Sequence, residues 1–321
     1  MTRASLALYV GRRVVALVLL VVVISFVVFS LLYLAPGSPE QVLLGARPST
    51  PETIDAIREE YHLNDPFLVQ YGKWARDAVR FDFGRSIRTN EPVLDGIAAR
   101  FKLTLQLGGL AFLLTMLLGV PLGVLAAVRS RTAIDRGIVS LSIVGVSAPA
   151  FATGILLLYV FAVELGWFPV FGEGSGVVDR LRHLALPALA LALTGMGLVL
   201  KLTRTAVIGS LEQDYVTFAR ARGISRRRVL TGYALRNALV PIITAAGLLL
   251  AYMLAGTVLV EVTFALPGVG SLLVDSVRTL DVPMVQALAI LVATLVVVVN
   301  LLADLVYVAV DPRISFARAK A

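Results

Sequence analysis

The sequence predicts an all-α integral membrane protein with six transmembrane helices and a small helical layer after the first of them. Three observations carry this reading. Of 321 residues, 58% are hydrophobic and only 16% charged, with a mean hydropathy of +0.87, whereas a soluble domain carries about 25% charged residues. The apolar residues gather in six stretches. Several are uncharged for about 20 residues or more, the length a hydrocarbon core of about 30 Å demands of a helix. Basic residues collect beside alternate ends of those stretches, as topology signals do.

The first span is Val14–Leu34, preceded by Arg12 and Arg13. Its 21 uncharged residues exceed the roughly 7–15-residue core of a cleaved signal. Ala35-Pro36-Gly37 reads as a helix stop and a poor cleavage site, so the span is retained, and with its tail it forms region 1–34. Residues 35–100 are expected to be an external helical segment. Thr50 before Pro51 marks a capped start with proline in the first turn, and Asp65-Pro66 repeats the signal. Mixed charges suit a layer at the membrane surface. The five-span core, 101–310, holds Leu103–Val128, Gly137–Val163, Leu184–Leu200, Ala238–Val260 and Val285–Val310. Pro187 in the fourth span is read as a kink, because neighbouring helices can satisfy the backbone group that a proline frees. The tail is 311–321.

Charge sets the orientation. The N-terminus, 129–136, 201–237 and the tail together carry 17 Lys/Arg against four acids, and the segments on the other side carry 11 against 16. The basic side belongs to the cytoplasm, which places both termini there.

Between spans four and five, residues 201–237 form the most informative stretch. Ser210-Leu211-Glu212-Gln213 has the spacing of a capping box, so a helix is expected from Leu211 to about Arg222, stopping at Gly223. Ser225 starts a second helix that leads Arg226, Arg227 and Arg228 toward span five. A basic loop that only anchors topology needs scattered Lys/Arg. It has no need of a capped helix bearing Asp214, Tyr215 and Phe218, which has the character of a partner surface.

Other chemistries find little support. The chain has no cysteine and only two histidines, His62 and His183, so disulfides and thiol nucleophiles are excluded and no metal site is expected. None of Lys73, Lys102, Lys201 and Lys320 lies in a phosphate-cradling glycine loop. The net charge of +8 is explained by topology, and no nucleic-acid partner is expected. Gly119 and Gly123 in span two, with Gly195, Gly197 and Gly256, read as helix-packing positions. Asn300 and Asp304, one turn apart in span six, suit a structural hydrogen bond or a pathway contact. Glu261 falls at an external span end, where water is expected to remove most of the cost of its charge.

The segment Asp214-Tyr215-Val216, Ala219-Arg220-Ala221-Arg222-Gly223 and Leu235-Arg236-Asn237-Ala238-Leu239-x-Pro241 resembles the coupling loop of bacterial ABC importer permeases, in particular the dipeptide/oligopeptide (and nickel) permease family. Further stretches agree in order along the chain, among them Tyr61–Pro66, Asp82-Phe83-Gly84, Ser147-x-Pro149, Glu261-x-x-Phe264-x-x-Pro267-Gly268, Asp281-x-Pro283 and Asp311-Pro312-Arg313. The resemblance implies a type I ABC importer permease fold in the bacterial inner membrane. It also implies a second homologous permease, two ATP-binding cassette subunits and an extracytoplasmic solute-binding protein as partners. ATP and magnesium would be bound by those partners, and this chain would hold no cofactor and perform no catalysis. The implied coupling residues are Asp214, Tyr215, Phe218, Ala219, Arg220, Ala221 and Gly223, with Arg236, Asn237 and Pro241 at the junction to span five. Where the general motif has Glu-Ala-Ala, this chain has Thr217, Phe218 and Ala219. A self-contained secondary transporter is the competing class. It needs charged or polar coupling groups near the bilayer midplane, and spans one to five have almost none.

Overall fold

The computed structural model describes residues 3–34, 37–45 and 49–310. The tail, including Asp311-Pro312-Arg313, lies outside them. Among the described residues the chain is helical, with one isolated β-bridge, Arg85 to Pro92. Among the described residues, five helices are long and apolar enough to cross a membrane, and six spans result when one bent pair is counted as a span. The chain divides into two compact units, one built mainly from residues 105–266 and 298–310, the other from 7–104 and 267–297.

Helix α1 (Arg3–Leu34) belongs to the second unit from Ala7 onward, and Ala35-Pro36 of the expected stop lie outside the described residues. Three short helices follow: α2 (Pro39–Leu44), α3 (Pro51–Glu60) and α4 (Phe67–Val79). Ser38 and Gln41 close a capping box on α2, and the Thr53 amide donates to the Thr50 hydroxyl at 3.3 Å, as the cap reading requires. Asp65 departs from expectation. Pro66 occupies the cap position of α4 without a side-chain bond, because the Asp65 carboxylate is drawn to Lys73 at 2.7 Å. Val42, Leu43, Leu44 and Ile57 pack with Leu32 and Val282 into a core. Buried Asp281 joins distant segments: it accepts from the Ser86 hydroxyl, from the Ile87 amide at 3.2 Å and from the Met284 amide at 3.4 Å. That last bond caps the start of α13 (Val282–Val310). The preceding helix, α12 (Val269–Arg278), is tied down where the Val269 amide donates to the Thr104 hydroxyl at 2.8 Å.

The first unit holds most of α5 (Val93–Val128), the bent pair α6 (Ala133–Ser147) and α7 (Ala150–Leu157), then α8 (Gly176–Leu211) and α11 (Leu235–Thr263). Two of these outrun the predicted spans: α5 begins ten residues before Leu103, and α8 extends 184–200 in both directions. Hydropathy reads only the lipid-embedded part of a helix, while the charged ends remain good helix formers. The third span is not one continuous helix over 137–163. It breaks by 103° between α6 and α7. Pro149 supplies no amide and drives Ala148 to an extended conformation (φ −88°, ψ 123°), which ends α6.

Small residues let these helices approach closely. A Cβ on Gly123 would fall 2.8 Å from the Leu200 carbonyl, and one on Gly197 would fall 2.5 Å from the Ser142 carbonyl. Both glycines therefore sit where helices α5 and α6 touch α8, as packing positions should. The helix α8 continues through Pro187 and buries much of its length.

Candidate functional site

The stretch after α8 is a compact platform. Helix α8 does not stop at Ser210 but runs to Leu211, so Ser210 is a buried helical residue and no capping box forms. Gln213 turns its amide nitrogen back to the Gly209 carbonyl at 3.2 Å. The separate helix is therefore α9 (Asp214–Ala221), with Asp214 in its first turn and Arg220 in its last, both favourable to the helix dipole. Its end is a closed motif: the Gly223 amide donates to Arg220 O at 2.9 Å and the Ile224 amide to Ala219 O at 3.2 Å. This pair of bonds requires a left-handed residue at Gly223, whose φ is +75°. From Ser225 the chain enters α10 (Arg226–Arg228), passes through a π turn at Val229–Ala234 and continues as α11.

The platform has an inside and an outside. Val216, Ala219 and Val229 are buried together, with Leu211, Ile224 and Tyr233 packed against them. Ala219, one of the implied coupling residues, faces inward. Asp214, Tyr215, Arg220, Ala221 and Gly223 are exposed, and Phe218 is 69% exposed, an aromatic ring with no protein over it. Arg222, Arg226, Arg227 and Arg228 are also exposed, on the turn and short helix that follow α9.

A second cluster lies against the first and shares Leu211 with it. Ala127 of α5, Val207 of α8, and Ala238 and Ile242 of α11 form a buried core, with Leu230 and Leu235 packed on it. The ends of three long helices are therefore joined directly beneath the platform. Arg236 and Asn237 are exposed at the start of α11, and Asn237 donates to the Tyr233 carbonyl at 2.7 Å. Pro241 lies within α11, in the turn after them.

The remaining candidates stand apart from this group. Glu261 is 25 residues beyond Arg236 on α11, roughly 37 Å along the axis. It is fully buried, so the expected relief by water does not apply. Helix α11 continues to Thr263, and Phe264 and Leu266 beyond it are buried too. Asn300 is half-buried on α13, and Asp304 lies outside the residues whose side chains are described.

Sequence reasoning missed the ion pair that ties α6 to α8. Asp135, in the first turn of α6, accepts from Arg204 Nε at 2.6 Å and Nη2 at 2.8 Å, and also from the Arg131 amide at 2.8 Å. Its side chain is 4% exposed. In the sequence Asp135 is one acid in a basic turn, 69 residues from its partner, and no local pattern signals the pairing.

Comparison with known proteins follows the same lines. The family described as "Binding-protein-dependent transport system inner membrane component" matches residues 119–316, and the corresponding N-terminal family matches 6–108. The chain is 40% identical over 317 residues to the oligopeptide transport system permease protein AppB of Bacillus subtilis, covering 97% of this chain and all of that one. It is 39% identical over 314 residues to a probable peptide ABC transporter permease protein, y4tP, of Sinorhizobium fredii, covering 97% of this chain and all of that one. With the glutathione transport system permease protein GsiC of Escherichia coli it shares 35% over 308 residues, or 96% and 99% of the two chains. Among solved structures, a chain of the MetNI methionine ABC transporter in an inward-facing conformation superposes with a TM-score of 0.55 at 17% identity, covering 67% of this chain and 95% of that one. At that identity the likeness is one of fold.

Proposed function

Because the chain belongs to the family of binding-protein-dependent transport system inner membrane components, we propose that it is the permease subunit of an ATP-driven importer of di- or oligopeptides or related small solutes. It forms half of a translocation pathway and is driven by a separate ATPase through α9. The observation that carries the coupling role is the platform. A short helix with an exposed aromatic ring is closed by its own turn and backed by a core that continues into the ends of α5, α8 and α11. Protein interiors are close-packed and transmit displacement. A partner that grips Phe218 and its neighbours and then shifts therefore moves Val216 and Ala219, and through Leu211 and Tyr233 the two helices that flank the platform.

The partners of this reading are a second homologous permease, two ATP-binding cassette subunits and an extracytoplasmic solute-binding protein. ATP and magnesium belong to the cassette subunits, and this chain contributes no catalytic residue. The charge bias favours the cytoplasm, where the ATPases are, for both termini and the platform, and the external side for residues 35–100.

The first-unit helices offer cargo a conduit rather than a tight site. The hydroxyls of Thr115, Ser142, Ser147, Thr244 and Thr257 each donate to a carbonyl three or four residues back in their own helix. Little is left to repay the desolvation of a zwitterion, which suits a path that must release what it carries. Affinity then resides in the external binding protein.

The test is purification from the native membrane in mild detergent. Two ATP-hydrolysing subunits should co-purify, and uptake by reconstituted vesicles should require ATP and the external binding protein. Transport by the isolated chain, driven by an ion gradient alone, would overturn the reading in favour of a secondary carrier.

A further inference from the structure

We propose that α4 is an interfacial helix sunk into the lipid leaflet at the Leu34 end of α1, with acyl chains covering its exposed apolar stripe. The inference uses the membrane spans and the second unit alone, and does not depend on the cargo or partners proposed above.

Depth comes first. Arg12 and Arg13 are the last charges before the uncharged run to Leu34. A hydrocarbon core of about 30 Å measured from there ends near Tyr33. The Tyr71 hydroxyl of α4 lies 2.8 Å from the Ser25 hydroxyl and donates to the Val22 carbonyl at 3.3 Å. Ser25 is nine residues inward of Leu34, roughly 13 Å along the helix. Ring contacts continue the band: Phe67 with Phe26 at 5.7 Å and Tyr33 at 5.1 Å, and Trp74 with Phe29 at 5.3 Å. A helix pinned to that part of α1 lies at the depth of the acyl chains and not above them.

The faces of α4 agree with that depth. Residues advance about 100° each around a helix axis. Phe67, Tyr71 and Trp74 face α1. Gln70, bonded to the carbonyls of Leu63 and Asp65 and to the Tyr33 hydroxyl, marks the shallow side together with Asp77 and Lys73, which pairs with Asp65. Opposite that side, Ala75, Leu68, Val79 and Gly72 fall within about 60° of one another. Leu68 is 69% exposed and Val79 is 81% exposed, and the space beside Gly72 is open. Single exposed apolar residues need no explanation. A stripe aligned with the deep edge of an aromatic contact to α1, which itself bears exposed Val23, Val27 and Leu31, is a lipid-facing surface. Arg76, exposed at its border, has a side chain long enough to reach lipid phosphates while its stem stays in the apolar layer.

The native chain has no cysteine, so single spin labels need no background removal. The full chain is reconstituted in phosphatidylcholine–phosphatidylglycerol vesicles with labels at Leu68→Cys, Val79→Cys or Asp77→Cys. Labels at 68 and 79 should collide with oxygen and be shielded from a water-soluble nickel chelate, giving an oxygen-to-nickel ratio several-fold above that at 77. Equal nickel access at all three sites would place α4 in water. Shielding of 68 and 79 from both reagents would mean that protein, not lipid, covers the stripe. Either result overturns the proposal. A readout that leaves α4 unaltered is Trp74 emission in the Trp167→Phe chain. Brominated lipid should quench it, and an absence of quenching also overturns the proposal.

Discussion

Arg204 grips Asp135 with two parallel hydrogen bonds, at 2.6 and 2.8 Å, and so fastens the short turn between α5 and α6 to α8 two turns before the platform. The carboxylate is nearly buried, and the guanidinium is about a quarter exposed. A pair of this kind adds modest net stability when intact, but losing one partner strands the other.

Replacing Arg204 with alanine should therefore destabilise the solubilised protein by about 3 kcal/mol, with Arg204→Lys falling between it and the native chain. Lysine keeps the charge but not the planar fork. Thermal unfolding in detergent measures both. A lysine variant as stable as the native chain would mean that fork geometry contributes nothing.

Gly223→Val should insert normally yet abolish uptake. A left-handed conformation costs an ordinary L-residue about 1–2 kcal/mol, and a β-branched residue more. Gly223→Asn, which tolerates that conformation, should retain most activity. Normal transport by the valine variant would show that the closed turn after α9 is dispensable.

Phe218→Ala should leave stability within about 0.5 kcal/mol of native, as expected of an exposed position, while weakening capture of the ATPase subunits about tenfold or more. The buried neighbour reverses the pattern. Val216→Ala should cost about 1–2 kcal/mol of stability and affect ATPase binding only through folding. Pull-down of the ATPase subunits and thermal shift on the same samples separate the two effects.

The second unit should loosen in acid. The Glu40 carboxyl is held below its ordinary value of 4.5, first by the amide at its own position at the start of α2 and then by the Ser38 hydroxyl. The Lys73 ammonium holds Asp65 below 3.8. Depressed carboxylates stabilise the folded state fully above their unfolded values, and lose that contribution as pH falls through the lower folded values. Trp74 emission in the Trp167→Phe chain should be flat from neutral pH to about 5 and change below 4. In Lys73→Met the transition should begin at higher pH.

Labelled dipeptide should show no saturable high-affinity binding to the permease–ATPase complex without its external binding protein. Equilibrium dialysis reads this directly. Tight binding abolished by substitutions in α5 or α11 would refute the conduit.

Much of this architecture is legible in the sequence where the signal is local. Uncharged runs mark the spans, Thr50 marks the start of α3, and Gly223 marks the end of α9. Signals that depend on neighbours mislead. Ser210 has the spacing of a cap, but α8 runs through it because Val207 is buried against Ala127 and Ile242. Asp65 has the position of a cap and pairs with Lys73 instead. Glu261 lies near the end of an apolar run and is buried all the same. Asp135–Arg204 and Ser86–Asp281 join residues 69 and 195 apart, beyond the reach of any local pattern.

The break at Pro149 bears on how the protein is made. Helix α6 is 15 residues long, about 22 Å, too short to cross the hydrocarbon unaided. Helix α7 and its π turn together also span only 15 residues. Both lean on a segment synthesised later: the Leu193 carbonyl would lie 3.0 Å from a Cβ on Gly145, and Ala190 Cβ 3.6 Å from one on Gly154. While the ribosome has yet to finish α8, neither half has its companion. The insertion machinery must then shelter residues 133–164 until the fourth span emerges, so the two spans enter the bilayer as one cargo, in a single delayed step.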